Sequence, residues 1–495
     1  MSSSISTLRT LLPADSVSTS PLGCLCPYWT IQDGHLYVAD TAPDILSCVS
    51  ITSRIIDPVA VLELLHFNYV LGDRTLIQGI YRMPWHSTLY GDGRLERRPP
   101  IPHGTKHVKP ALAARVLRAL LEEELGQVVE NRKRVFLLLT GGLDSRVTAG
   151  VLKALEPTTT ARFVAVTWGH PQSRDVAYGK RIASWFDWEW IHLPYDVALT
   201  RQNIARGAVW GGAEVAGFHL HAMEWFHQAN STDLVIAASF GDSIGRGEYS
   251  SVHVSHLSHK AIHNPWSLIH PRLQDESISR ALLDRATAWE SEPSSEDWIR
   301  CELDGQENYM RRMIGHAMDY IRQYCSLHQA FTSETVVRFM WSLSPELRRD
   351  HIYHCLLEDL DARLFSLPWA RTGVAPNGNI ERDHGLRKEY HELTRWLYSD
   401  LREFLDELIS CPELATLGVF LRPSLRRLRT NWVGLNEGPL GLAEHVVKVA
   451  SVELLRREYS IMPCREATPL RDIIFDRYTR LRRQLWLLKT RLRGT

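Results

Sequence analysis

The stretch "RVFLLLTGGLDSR", residues 134–146, constrains this chain more than any other. Its unbroken apolar run fits a strand buried on both faces, and such strands belong to parallel sheets covered by helices. The pair Gly141-Gly142 then opens "DSRVTAGVLKAL", which reads as a helix. A strand that ends in glycines and feeds a helix makes an anion cradle. Glycines let the backbone approach the anion, and unpaired N–H groups at the helix start point toward it. The hydroxyls of Thr140 and Ser145 would add donors, and Asp144 would hold a magnesium ion bridging phosphates. On physics alone, a plain helix cap by Asp144 or Ser145 is the alternative. No lysine follows the glycines, so this is not the G-x-x-x-x-G-K-[ST] loop, and it is not G-x-G-x-x-G either.

The pattern around this turn alternates. "RFVAVTW" (162–168), "EWIHLP" and "DLVIAAS" (233–239) read as strands, and "ALAARVLRALLEEELGQ" and "SRDVAYGKRIASWF" (173–186) as helices. Right-handed crossovers then give an α/β fold, a parallel twisted sheet flanked by helices. Residues 1–105 differ. They hold short β-like pieces such as "CPYWTI" and "HLYVAD", and a hairpin in "HSTLYGDGRLERR". "PPIPHGTKHVKP" marks the change of texture, so two domains are expected: a small β-rich one over 1–105 and an α/β one over 106–495 with a helical C-terminal extension.

Charge excludes little and points nowhere: 57 basic residues balance 57 acidic ones, so no global field draws the chain to nucleic acid or membrane. The eight cysteines are scattered without a CxxC pair, as in a reduced, cytoplasmic protein. The N-terminus lacks a basic region followed by a long apolar run, and no stretch of about 18 apolar residues occurs, so neither a signal peptide nor a membrane span is expected.

"TGGLDS" resembles the pyrophosphate loop S-G-G-x-D-S of the ATP-pyrophosphatase enzymes, and "LLLTGGLDSRVTAGVL" resembles their asparagine synthetase branch. That branch carries a second motif, S-G-x-G-x-D-E-x-x-G-G. "SFGDSIGRG" (239–247), directly after "DLVIAA", is similar to it, with Asp242 on the aspartate and Gly247 on the last glycine. Ser243 replaces the glutamate and Arg246 the first glycine of the final pair. "FVAVTWGHPQSRDVAYGKRIA" resembles the family's second strand and helix through Ser173, Asp175, Tyr178 and Gly179. The resemblance implies an adenine nucleotide α-hydrolase-like fold and carboxylate adenylation by ATP, followed by amine attack to give an amide, AMP and pyrophosphate. Thr140, Gly141, Gly142, Asp144, Ser145 and Gly241 would bind the nucleotide phosphates, with backbone at Val166 and Thr167 on the adenine. Asp144 and Asp242 would hold magnesium, and Arg371 of "LPWARTG" would stand in for a lysine on the adenylate.

The departures carry equal weight. "MSSSIS" lacks the catalytic cysteine of glutamine-using members, so residues 1–105 are expected to be a reduced, inactive glutaminase-like domain. Placing "AFTSETVV" on the family's "PFLD" puts Ser326 where a glutamate would be and His328 where an arginine would be. Loss of the cysteine is shared with β-lactam synthetases and lasso-peptide macrolactam cyclases, and Arg146 is similar to the latter group. Macrolactam closure of a precursor peptide, with a precursor-processing protease as partner, is therefore the expected function. Transfer of ammonia or a small amine to a peptide or metabolite carboxylate, and a catalytically silent nucleotide-binding or partner-binding relative, are the alternatives. Nucleic acid is not an expected partner. The histidines of "GFHLHAMEWFHQ" and "SVHVSHLSHKAIH" read as pocket surface and solvated segment rather than a metal site, and the arginine-rich tail as a docked amphipathic helix.

Overall fold

The computed structural model describes residues 7–250, 261–289, 296–378 and 385–465. Seven short strands come first: β1 (Arg9–Leu11), β2 (Ser16–Ser18), β3 (Tyr28–Gln32), β4 (His35–Ala39), β5 (Ile80–Arg82), β6 (Ser87–Tyr90) and β7 (Leu95–Arg97). They form two antiparallel sheets, β1-β4-β3-β5 and β2-β6-β7. The hairpin expected at Gly91-Asp92-Gly93 is the β6–β7 connection, where Gly93 takes φ +85° and its N–H donates to the Tyr90 carbonyl at 2.8 Å.

Five further strands, β8 (Arg134–Leu138), β9 (Arg162–Trp168), β10 (Glu189–Leu193), β11 (Leu234–Ala237) and β12 (Ser326–Gln329), make one parallel sheet in the order β10-β9-β8-β11-β12. The expected α/β class is thus observed. The apolar runs make both faces of the sheet dry. Val135, Leu137, Ala165 and Ile236 pack on one side with the helices Pro110–Val129, Leu143–Leu155 and Asp350–Leu360. Phe136, Val164, Val166 and Val235 pack on the other with Met223, Phe226 and Ile321. β12 has no such run. Its "SLHQ" is a polar edge strand, which is why periodicity alone does not reveal it.

The chain enters this sheet at its middle, moves outward through β9 and β10, then crosses back to lay β11 on the other side of β8. The order therefore reverses between β8 and β11, and a crevice opens beyond the carboxyl ends of strands at such a switch point. The C-terminal helices, ending with Leu440–Tyr459, share a core with the N-terminal region: Val446, Val449 and Trp432 bury against the layer that holds Val61, Leu64 and Leu65. Among the described residues no helix is long and apolar enough to cross a membrane.

Candidate functional site

The two motif turns leave the carboxyl ends of β8 and β11, the adjacent strands of the switch point. The first is held by its own side chains. Ser145 Oγ accepts from the Thr140 N–H at 3.2 Å, and Thr140 Oγ1 accepts from the Gly142 N–H at 3.1 Å. Gly142 is the N-cap of helix Leu143–Leu155, so an anion here also meets the helix dipole. Asp175 accepts from the Gly141 N–H at 3.0 Å, and Ser173 caps the helix that carries Asp175. A Cβ on Gly141 would lie 2.7 Å from Ala370 Cβ and 2.8 Å from Tyr178 Cδ2, so the loop is tightly walled.

The second turn is a wide, π-helical one, Gly241–Gly245. It touches the first directly: a Cβ on Gly241 would stand 2.5 Å from Asp144 Cβ. Tyr353 donates its hydroxyl to the Gly241 carbonyl at 2.8 Å. Arg246 then reaches back across the gap. Its guanidinium donates to both oxygens of Asp144, at 3.2 and 3.4 Å, to Asp350 at 3.2 Å and to Glu248 at 3.3 Å. Arg371 meets the other oxygen of Glu248 at 3.0 Å from an exposed position. The guanidiniums of Arg246 and Arg371 lie 5.4 and 5.6 Å from the centroid of the Trp369 ring.

These charges sit in a dry place. Burial raises the Asp144 carboxyl above the ordinary carboxylate range, against the pull of Arg246. Burial, and after it the charge of Asp144, push Asp242 up to about 8. Asp242 is half-buried, and its Oδ1 is sealed from solvent without a hydrogen-bond partner.

Beside the first turn lies a cavity of about 220 Å³, bordered by Thr140, Gly142, Asp144 and Ser145 on one side and by Trp168, His219 and His221 on another. Met313 and Met318 also line it. Burial lowers His219 to about 3 and His221 to about 4, so both imidazoles are neutral hydrogen-bonding walls at physiological pH. Sequence reasoning underweighted this pair. They lie two apart on a short 3-10 turn, Gly217–Leu220, and the residue after it, and only the tertiary fold brings them to the glycine loop.

Val166 and Thr167 stand one step inside the sheet. The Val166 carbonyl accepts from the Leu139 N–H at 2.9 Å, and the Thr167 hydroxyl donates to the Leu139 carbonyl at 2.7 Å, which leaves Trp168 as the β9 residue at the cavity. Ser326 and His328 lie away from it in β12, where His328 Nε2 meets Glu124 at 2.7 Å. Arg146, read from sequence as a hint about substrate, is wholly buried and donates to four backbone carbonyls: Gly141, Leu364, Leu367 and Pro368. It clamps the loop to the 364–370 segment.

The expected magnesium pair, Asp144 and Asp242, meets a resident cation, Arg246. Arg246 engages both oxygens of Asp144, so the first carboxylate of the expected pair is already matched by a cation. The histidines at 251–260 and the tail at 466–495 lie outside the described residues.

No protein-family model matches the sequence, and no curated protein matches it. Among solved structures, it is similar to NMN synthetase from Francisella tularensis, with 13% identity and a TM-score of 0.19 over 29% of this chain. This chain covers 60% of that enzyme's chain. It is also similar to the U34-tRNA thiolase NcsA from Methanococcus maripaludis with its [4Fe-4S] cluster, with 12% identity and a TM-score of 0.20 over 46% of this chain and 83% of the other. Scores this low lend no weight to any function.

Arg146→Lys should destabilise the protein by about 2–4 kcal/mol in urea unfolding, because one ammonium cannot reproduce a fork that satisfies four carbonyls. A change below about 0.5 kcal/mol would show that the clamp is dispensable. Asp242 makes a pH-dependent contribution of known sign. In the unfolded chain it releases its proton near 4, and in the fold near 8, so stability falls as pH rises between those values. Asp242→Asn removes that loss. Its melting temperature should exceed the wild type's by at least roughly 2 °C at pH 8.5 and by less at pH 5; equal shifts at both pH values would refute the assignment.

Proposed function

We propose that this protein adenylates a carboxylate with ATP and turns the adenylate into an amide, as an adenine nucleotide α-hydrolase-like enzyme of the amide-forming kind. The observation that carries the proposal is the contact of the glycine loop with the Asp242 turn at the sheet's switch point, Gly241 against Asp144. In the reaction the substrate carboxylate oxygen bonds to the α-phosphorus while the bond to the β-phosphate oxygen breaks and pyrophosphate leaves. An amine then bonds to the acyl carbon and AMP departs with the electron pair.

Each step finds a matching group. The Thr140 and Ser145 hydroxyls and the helix start at Gly142 suit the phosphates. Arg246 is a fixed, partly desolvated cation, suited to the charge that develops on the leaving pyrophosphate. The ring of Trp168 suits adenine. Asp242, which exchanges its proton near neutral pH, suits removal of a proton from the attacking amine. Arg371 joins this set through Glu248. We further propose that the amine comes from within the substrate, as macrolactam closure of a peptide in the cytoplasm, with a precursor-processing protease upstream.

One observation favours a second reading, a nucleotide-binding protein without turnover: Arg246 occupies the carboxylate of Asp144, which the resemblance assigns to magnesium. Pyrophosphate release separates the two. With ATP and a carboxylate-bearing precursor peptide, native protein should release pyrophosphate in step with amide, and Asp144→Ala should lower the rate by on the order of 10²-fold. ATP binding without release across peptide and small carboxylates would establish the second reading. If Asp144→Ala also leaves ATP affinity unchanged, the nucleotide site itself is misplaced.

A further inference from the structure

A separate cavity, of about 220 Å³, lies between the end of helix Arg402–Ser410 and the helix Arg422–Val433, and shares no lining residue with the cavity beside the glycine loop. Ile409, Ala415 and Leu425 give it an apolar part, and Arg422, Arg426 and Arg429 a charged one.

The three arginines stand four and three apart on one helix, a spacing that brings their side chains to the same face. Arg429 has a counter-charge: Asp406 accepts from its Nε at 2.6 Å and from its Nη2 at 2.7 Å. Among the described residues neither Arg422 nor Arg426 has an ion-pair partner. Like charges at these spacings repel one another. The helix start adds to the cost, because no acid stands in its first turn and no side chain caps it. A cation there faces the positive end of the helix dipole. Folding gains nothing from charges arranged in this way, whereas a bound dianion would turn each repulsion into an attraction.

We infer that this cavity binds a small phosphomonoester, its phosphate held by Arg422 and Arg426 and its carbon body against Ile409, Ala415 and Leu425. Guanidinium forks match phosphate oxygens in pairs. Two cations without acids suit a dianion better than a carboxylate, and a phosphomonoester carries close to two charges at neutral pH. Repeated cations also draw polyanionic chains, but the apolar lining favours one phosphate with a carbon body over a strand of phosphates. The inference does not depend on the adenylation chemistry, whose test is pyrophosphate release.

The test titrates the full-length protein with phenyl phosphate by calorimetry at low salt and near neutral pH. Benzoate serves as a monoanion with the same ring, and inorganic phosphate as the charged group alone. Saturable binding of phenyl phosphate is expected, tighter than that of either comparator by about fivefold or more. Arg422→Gln and Arg426→Gln should each weaken it by about fivefold or more. Arg426 is exposed, and loss of its repulsion should leave the melting temperature of Arg426→Gln unchanged or higher. No saturable binding of phenyl phosphate overturns the inference. So does equal affinity for benzoate or for inorganic phosphate, and so does binding that neither substitution weakens, which would place the ligand elsewhere on the protein. Should Arg422→Gln fail to fold, Arg426→Gln decides alone: unchanged affinity for phenyl phosphate in that variant overturns the inference.

Discussion

The absence of a side chain at Gly241 is the constraint on which the candidate site depends. Its Cα lies so close to Asp144 that any Cβ would overlap that residue's own. Only because this position is empty does the turn after β11 reach the turn after β8, and only then can Arg246, five residues on, lay its guanidinium across Asp144. The neighbouring strands supply the approach and the glycine supplies the final contact. Tyr353 fixes it from below through the Gly241 carbonyl.

That contact has an electrostatic consequence. Asp144, Asp242, Glu248 and Asp350 are gathered at one place, and Arg246 touches three of them while Arg371 touches Glu248. Asp242 is the carboxylate Arg246 does not hydrogen-bond, and its raised titration follows from that exclusion together with burial beside the Asp144 charge. An incoming polyphosphate would compete with Asp144 and Glu248 for the same guanidinium. Its arrival would release carboxylates as it binds, so occupancy and the local proton balance are linked.

Much of this was legible in sequence, for identifiable reasons. β8, β9 and β11 announce themselves as apolar runs because both faces of the sheet are covered, and the two aspartates follow strand ends at recognisable glycines. β12 was hidden because an edge strand tolerates Ser326 and His328. Arg146 misled for a different reason. Its partners at 364–368 lie more than two hundred residues away, and a guanidinium whose terminal nitrogens donate to backbone carbonyls leaves no complementary acid in the sequence to betray it. The nearness of His219 and His221 to the glycine loop is likewise a product of tertiary packing with no local signature.

The π-helical segment Gly305–Ile314 ties two cavities together, and its unusual winding is what allows this. Gln306 lines an outer cavity of about 350 Å³ and Met313 the one beside the glycine loop. In a regular α-helix, residues seven apart fall on the same face. In a π-helical stretch the wider turn breaks that coincidence, so Gln306 and Met313 can be turned toward different spaces. A regular helix here would direct both side chains to one side and leave the other cavity without its wall. The same stretch buries Arg311 and Arg312 against the carbonyl of Gly72, which holds the N-terminal region against this helix. The β-rich N-terminal part therefore does more than cover the sheet: it lines the outer cavity with Leu22, Trp85 and Ile101, and through Gly72 it braces the helical segment that lines the inner one.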